Sequence, residues 1–377
     1  MKSDNGDVYE TAIKRVFAIM KQAKETCDIS LDDVVKEGTD KVDIEAIIGN
    51  PPYQIKIDGT SDRPVYNDFM DMAYGISSYV ILITPACFLF NAGKTPKAWN
   101  KKMLHDEHLK VCYYKKNRND VFQNIEISGG IAITLHDSNS DFDQIGDVYC
   151  PFSELDSILD KVNCRADVFV SITGIIGGCT RFNLDNLYRD FPSCKDDIGS
   201  NRRERRIVSN AFEKLDVFHD SKVDDDDVEV IGRIDRRRVS KWIRSGYVEQ
   251  NAAYDCYKII VPMAFALPSL WPPFIAGPSV SCTQTFLTFG RFESSSEAEA
   301  CLKYLKTRFV RTLLSILKVT QHNTKEKWQF IPIQDFSESS DIDWTKDVAD
   351  IDKQLYTKYS LLDTEINFIE TNMPQIG

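Results

Sequence analysis

The apolar run Ile44-Glu45-Ala46-Ile47-Ile48 stops abruptly at Gly49-Asn50-Pro51-Pro52-Tyr53. Two consecutive prolines have a fixed φ and no N–H to offer a ladder or a helix, so whatever precedes them must end there in a rigid loop. The run is short enough to predict a buried strand. A second apolar run, Tyr79-Val80-Ile81-Leu82-Ile83-Thr84, ends at Pro85 after a helical stretch around Asn67 to Gly75. Strand, helix and strand with a breaker at each strand end is the pattern of a βαβ unit, which builds a parallel sheet. Leu109 to Tyr114 and Gly130 to Leu135 are predicted as an antiparallel pair closing the sheet edge, with Gly129-Gly130 as a tight turn or bulge before the second strand.

Ahead of this unit, Asp7 and Glu10 have capping-box spacing, and Val8, Ala12, Val16, Ile19 and Ala23 recur at helical spacing, which predicts a helix near 8 to 25. A polar stretch from Asp28 to Lys41 follows. From about residue 150 the character changes. A strand-like run, Val168 to Ile172, leads into a glycine-containing turn, Thr173 to Gly178, and later short apolar runs predict irregular β structure. Ser296 and Glu299 form a second capping box, and Leu302, Leu305, Phe309, Leu313 and Ile316 are placed on one face of a helix. Val348, Ile351 and Leu355 predict another helix, with a short one around Glu365 to Ile369. Two parts are expected, residues 1–148 and 149–377.

Composition narrows the class. Among 377 residues, 42% are hydrophobic and 27% charged, enough for a real core and too apolar for a disordered chain. No apolar run approaches the roughly 20 residues of a membrane span, and the first residues, MKSDNGDVYE, are polar where a secretory signal is apolar, so a cytoplasmic protein is expected. Ten scattered cysteines without a CxxC pair exclude a zinc ribbon and a disulfide scaffold and suit a reducing compartment. His105 and His108 lack further ligands in reach, so they are read as surface histidines on a helix and no metal site is expected. Trp242, Trp328 and Trp344 are read as core. A net charge of −11 argues against a protein that coats nucleic acid, yet basic clusters stand at 202–206 and 233–238. Arg202, Arg203, Arg233, Arg236, Arg237 and Arg238 are the candidates for phosphate or groove contact; the competing reading is a salt-bridged solvated face, since Asp224 to Asp227 lie close by.

The chemistry sits in Asn50-Pro51-Pro52-Tyr53, which without further function would be a proline-rich turn with an exposed tyrosine. An aromatic amino group is a poor nucleophile because its lone pair is delocalised into the ring. Two acceptors and no donor would draw that nitrogen toward tetrahedral geometry. The Asn50 side-chain oxygen and the Pro51 carbonyl can both accept from one NH2 group, Pro52 stiffens the loop, and Tyr53 offers a face on which a flipped base can stack.

Asn50 to Tyr53 after Ile47-Ile48-Gly49, the strand end at Pro85, and Phe122 to Gly130 resemble, in order and spacing across roughly residues 40 to 140, three motifs of the gamma-class adenine-specific DNA methyltransferases of bacterial restriction-modification systems. Cys282-Thr283-Gln284-Thr285-Phe286 and Lys318-Val319-Thr320-Gln321 look similar to the target-recognition and carboxy-terminal parts of larger methylases in type II restriction enzymes. The resemblance implies a Rossmann-like α/β methyltransferase sheet followed by a mixed α+β target-recognition region with C-terminal helices. It also implies S-adenosylmethionine as cofactor, double-stranded DNA as partner, methyl transfer to the adenine N6 amino group, and Phe122 as the residue that helps hold the flipped base. The family's glycine-containing cofactor loop and its preceding strands do not fit into the 49 residues ahead of Asn50. That half is expected on a second subunit or upstream, with Asp28 the one residue matching the family's acid that contacts the cofactor. The alternative is a DNA-binding or specificity subunit that needs a separate cofactor-binding or nuclease partner.

Overall fold

The computed structural model describes residues 44–56, 62–116, 129–164, 169–198, 205–235, 237–249, 254–265, 267 and 273–376. The helix expected near 8–25, Asp28, Phe122, Arg202, Arg203 and Arg236 lie outside the described residues. The chain divides into two compact units between Pro151 and Phe152.

In the first unit, β1 (Ile47–Gly49), a short β2 (Gln54–Ile55) and β3 (Arg63–Pro64), α1 (Tyr66–Ile76) and β4 (Tyr79–Pro85) follow in order, then α2 (Lys97–Leu104), β5 (Leu109–Lys115) and β6 (Ile131–Asp137). The sheet order is β1-β4-β6-β5. β1 pairs parallel with β4 in the register Ile47↔Val80 to Gly49↔Leu82, which is the expected βαβ connection. β6 runs antiparallel to both β4 and β5, so the sheet is mixed. β4 has partners on both sides and α1 packed on it, which is why Val80, Leu82, Ile83 and Thr84 are all buried and the sequence reads as a continuous apolar run. β1 differs from expectation. Among the described residues it is an edge strand, and Ile48 keeps 42% of its surface. Gly129 and Gly130 have φ of 91° and 86°, the left-handed turn expected before β6. Tyr66, Phe88 and Trp99 form an aromatic cluster under α1 and α2.

The second unit opens with α3 (Ser153–Cys164). Its β structure is in two sheets. One joins β7 (Ile176–Gly177), β10 (Tyr257–Pro262), β11 (Phe274–Ala276) and β13 (Phe286–Phe292) in the order β11-β10-β13-β7, and the other joins β8 (Asp227–Ile234), β9 (Arg237–Arg244) and β12 (Val280–Cys282). Three short helices, α4 (Leu184–Asp190), α5 (Cys194–Ile198) and α6 (Ala211–Lys214), pack on this core, and α7 (Ser295–Lys306), α8 (Arg308–Leu317), α9 (Val348–Lys358) and α10 (Asp363–Asn372) complete the chain.

Several expectations are corrected here. The run before Gly174 is not a strand: Ser171 makes one bridge to Pro332, and Ile172–Ile175 is a 3-10 turn capped by the Ser171 hydroxyl. The cap of α7 is Ser294, which accepts from the Glu297 amide, two residues ahead of the expected box. The single helix through Leu302 and Ile316 is two helices, because Thr307 at ψ 149° leaves helical geometry and caps α8. Trp328 is core at 1% exposure, but Trp242 and Trp344 are only half-buried. His105 ends α2 and His108 precedes β5, each half-exposed and bonded to a backbone carbonyl, of Lys101 and of Ser140. Among the described residues no helix is long and apolar enough to cross a membrane.

Candidate acceptor loop and basic surfaces

Asn50 to Tyr53 follows β1 directly and is clamped at both ends. Parallel pairing with β4 holds its start, and at its end the Val65 N–H, just ahead of α1, donates to the Tyr53 carbonyl at 3.2 Å. Gln54–Ile55 then pairs with Arg63–Pro64. The loop therefore projects from the carboxyl end of β1, beside the carboxyl end of β4 at Pro85. In open α/β sheets this is the end where ligands bind. The register Pro85↔Ile131 and Lys115↔Ile131 puts Lys116 and Gly129 at the same end. These two residues flank the stretch that carries Phe122.

The Asn50 amide is exposed and Tyr53 half-buried. The Tyr53 hydroxyl is shielded from solvent without a hydrogen bond of good geometry. Burial pushes this phenol up to about 12, and the adjacent Asn50 side chain opposes the shift. Asn50 and Tyr53 thus present one accepting amide and one neutral aromatic ring side by side.

Of the arginines singled out in the sequence, Arg233, Arg237 and Arg238 lie at the tip of the β8–β9 hairpin, where Asp235 takes the left-handed conformation at φ 49°. Arg233 and Arg238 stand directly opposite one another across the ladder, an unfavourable like-charge pair. The Arg238 guanidinium lies 4.2 Å from the centroid of the Phe274 ring, which absorbs part of that cost. Arg237 projects exposed. The nearby acidic run folds on itself and on other cations. Asp227 accepts from the amides of Val223 and Asp224, and Asp226 pairs with Arg244 at 3.6 Å.

In the two C-terminal stretches that look like family motifs, Lys318 and Thr283 are held by internal hydrogen bonds. Lys318 is 2% exposed and bonds the carbonyls of Phe265, Thr320 and Gln321. Thr283 links Ser209 and Thr285 through hydroxyl contacts at 3.2 and 2.8 Å.

Residues 3–122 match the family model described as Eco57I restriction-modification methylase. Among curated proteins the chain is similar to an uncharacterized adenine-specific methylase of Mycoplasma pneumoniae, 24% identical over 173 residues, or 45% of this chain and 35% of that protein. Among solved structures it is similar to the type IIG restriction endonuclease BpuSI, at 10% identity over 84% of this chain and 50% of that one, with a TM-score of 0.29. A second is the type IIL restriction-modification enzyme MmeI in complex with DNA, at 9% identity over 92% and 58%, with a TM-score of 0.40. The chain spans about a third of the curated relative it matches and 50% and 58% of these two structures.

Proposed function

We propose that this chain, whose residues 3–122 carry the restriction-modification methylase match, is a site-specific DNA adenine methylase, with the described residues of its first unit forming the acceptor side. In this reading the first unit is the target-base part of a Rossmann-like methyltransferase sheet, and the second is a target-recognition region with C-terminal helices. The observation that carries the reading is the exposed Asn50 amide beside the half-buried Tyr53 ring, in a proline loop clamped at the carboxyl end of β1. The Asn50 Oδ1 and the Pro51 carbonyl accept the two N6 hydrogens of a flipped adenine, which draws the nitrogen lone pair out of the ring, and Tyr53 stacks on the base. Phe122 is the residue assigned to help hold the flipped base. No general base is needed, because the amino nitrogen becomes acidic once alkylated and its proton passes to water.

S-adenosylmethionine is the donor this chemistry implies, supplying an electrophilic methyl group. Gly129 and Gly130, the glycine pair at the carboxyl end of the sheet, are too tightly packed to cradle it. A Cβ on Gly129 would meet the Cys87 Sγ at 2.4 Å, and one on Gly130 the Lys115 carbonyl at 2.5 Å, so both glycines serve packing. The steps assigned to this chain therefore stop at holding and orienting the amino group, with Asp28 the one proposed cofactor contact.

Asn50→Ala is expected to abolish methyl transfer to duplex DNA, measured with labelled donor, while DNA binding stays within about twofold of wild type. Retained turnover would refute the role. A second reading, in which a partner chain supplies the donor half, is favoured by the edge position that β1 has among the described residues, with its exposed Ile48. Calorimetry of S-adenosylmethionine against this chain, with and without duplex, separates the two: micromolar binding to the chain alone removes the need for a partner.

A further inference from the structure

The glycine segment after Thr173 plays no part in the acceptor loop, yet it walls a cleft of about 390 Å3 in the second unit, lined also by Arg181, Glu249 and Arg291. Gly174 and Gly178 have no evident structural reason to be glycine. A Cβ built on either meets nothing within 4 Å, and neither has a positive φ. Gly177 differs, since its Cβ would lie 2.7 Å from the Thr288 Oγ1. Glycine in ordered backbone costs conformational entropy, and at Gly174 and Gly178 neither packing nor dihedral angles return anything for it. What two missing side chains leave is bare backbone facing an open cleft, the arrangement that lets a ligand approach closely.

The charge of the cleft is uncompensated. Glu249 is the one carboxylate among its lining residues, and Arg205 neutralises it at 2.8 Å. Arg181 and Arg291 are exposed, and among the described residues neither forms an ion pair. Arg206, likewise without one, is bridged through its backbone to Arg181. Both Arg181 and Arg206 act on the Cys179 thiol, which burial pushes up and the two guanidiniums pull down, so both charges converge on this wall.

The wall is also built before any ligand arrives. The Glu249 amide donates to the Arg181 carbonyl at 2.8 Å, β7 pairs with β13, and Lys325 Nζ donates to the Ile176 carbonyl at 3.1 Å. No aromatic ring lines the cleft on which a base could stack.

We propose that this cleft binds a backbone phosphate of duplex DNA, with Arg181 and Arg291 supplying the charge, Arg206 reinforcing it, and Gly174 and Gly178 giving the sugar-phosphate chain room to approach. Phosphate contacts position a protein on the duplex without reading sequence, so the site sets register for whatever reads the bases. The duplex as source of the phosphate rests on the proposed function; the anion site itself does not.

The test uses the full chain and fluorescence anisotropy with duplex DNA across a salt series. An Arg181→Ala/Arg291→Ala double variant is expected to bind more weakly and to flatten the slope of log K against log salt by about 0.9, the share of the one phosphate the two arginines hold together. Gly178→Leu is expected to weaken binding at least fivefold with an unchanged melting temperature, and Arg181→Lys/Arg291→Lys to retain most of the slope. An unchanged slope in the alanine variant, with wild-type DNA binding intact, overturns the cleft and leaves the methylase reading standing. If wild type binds no duplex but inorganic phosphate still raises its melting temperature and fails to do so in the alanine variant, the source of the phosphate is wrong and the DNA reading fails with it.

Discussion

At the scale of the residue, the proposed function divides one task between Asn50 and Tyr53. With its phenol near 12, Tyr53 is neutral at any physiological pH, so it offers the acceptor site a ring and not a base. Tyr53→Phe is therefore expected to keep methyl transfer within about threefold, and Tyr53→Ala to lower it roughly 5- to 150-fold, the range of a lost base-aromatic stack. Equal losses in the two variants, in steady-state assays on the same duplex, would move the role from the ring to the hydroxyl and its Asn50 neighbour. This loop was legible in the sequence because everything it needs is local: an apolar run, two prolines, and an amide between them. Arg238 and Lys318 were not legible in the same way. The ring under Arg238 is Phe274, and the carbonyl nearest the start of the Lys318 cage belongs to Phe265, both distant in sequence. A basic residue read alone cannot disclose which distant group its cation already meets, the Phe274 ring under Arg238 or a buried cage of carbonyls around Lys318.

At the scale of the element, β1, α1 and β4 appear where apolar runs and breakers placed them, while α7 and α8 do not, and the reason is a helix start that Thr307 and a carboxylate from another helix cap together. Asp352 on α9 accepts from the amides of Arg308 at 3.0 Å and Phe309 at 2.9 Å, so it stabilises a helix start where the apolar period runs on unbroken. Thr307 adds its own bond from the Val310 amide at 3.2 Å. Periodicity reports which residues face the core and is blind to a cap supplied from another helix. Burial raises the Asp352 carboxyl to about 6, against the pull of the two amides and of Arg311 and Arg308. Between the unfolded value near 4 and this folded value, the folded state binds the extra proton, so the contribution of Asp352 to stability is complete below about pH 4 and is lost as pH rises through about 6. Relative to Asp352→Asn, wild type should lose up to about 3 kcal/mol between pH 4 and 6.5 in urea unfolding. Parallel curves for the two proteins would show that Asp352 does not titrate in that window.

At the scale of the whole molecule, a net charge of −11 and the proposed binding of duplex DNA are compatible only if basic side chains are segregated. The sequence showed two basic clusters. The structure turns the described part of one into a hairpin tip bearing Arg233, Arg237 and Arg238, and it adds Arg181 and Arg291, which stand alone in the sequence and share a cleft only after folding. Arg237 and Arg238 should therefore respond differently to the same substitution. Arg237 is exposed and carries only charge, so Arg237→Ala is expected to reduce the salt slope of duplex binding by about 0.9 with no change in melting temperature. Arg238→Ala also strips the guanidinium from Phe274, a contact of about 0.5–1 kcal/mol at an exposed site, and so should lower the melting temperature as well. Combined with the cleft variant, Arg237→Ala should subtract its own share of slope, because contacts with separate phosphates add. Slopes that fail to add would mean that one phosphate is shared or that one basic surface faces away from the duplex. A slope near zero in wild type would mean that the acidic total, and not the local clusters, governs how this chain meets nucleic acid.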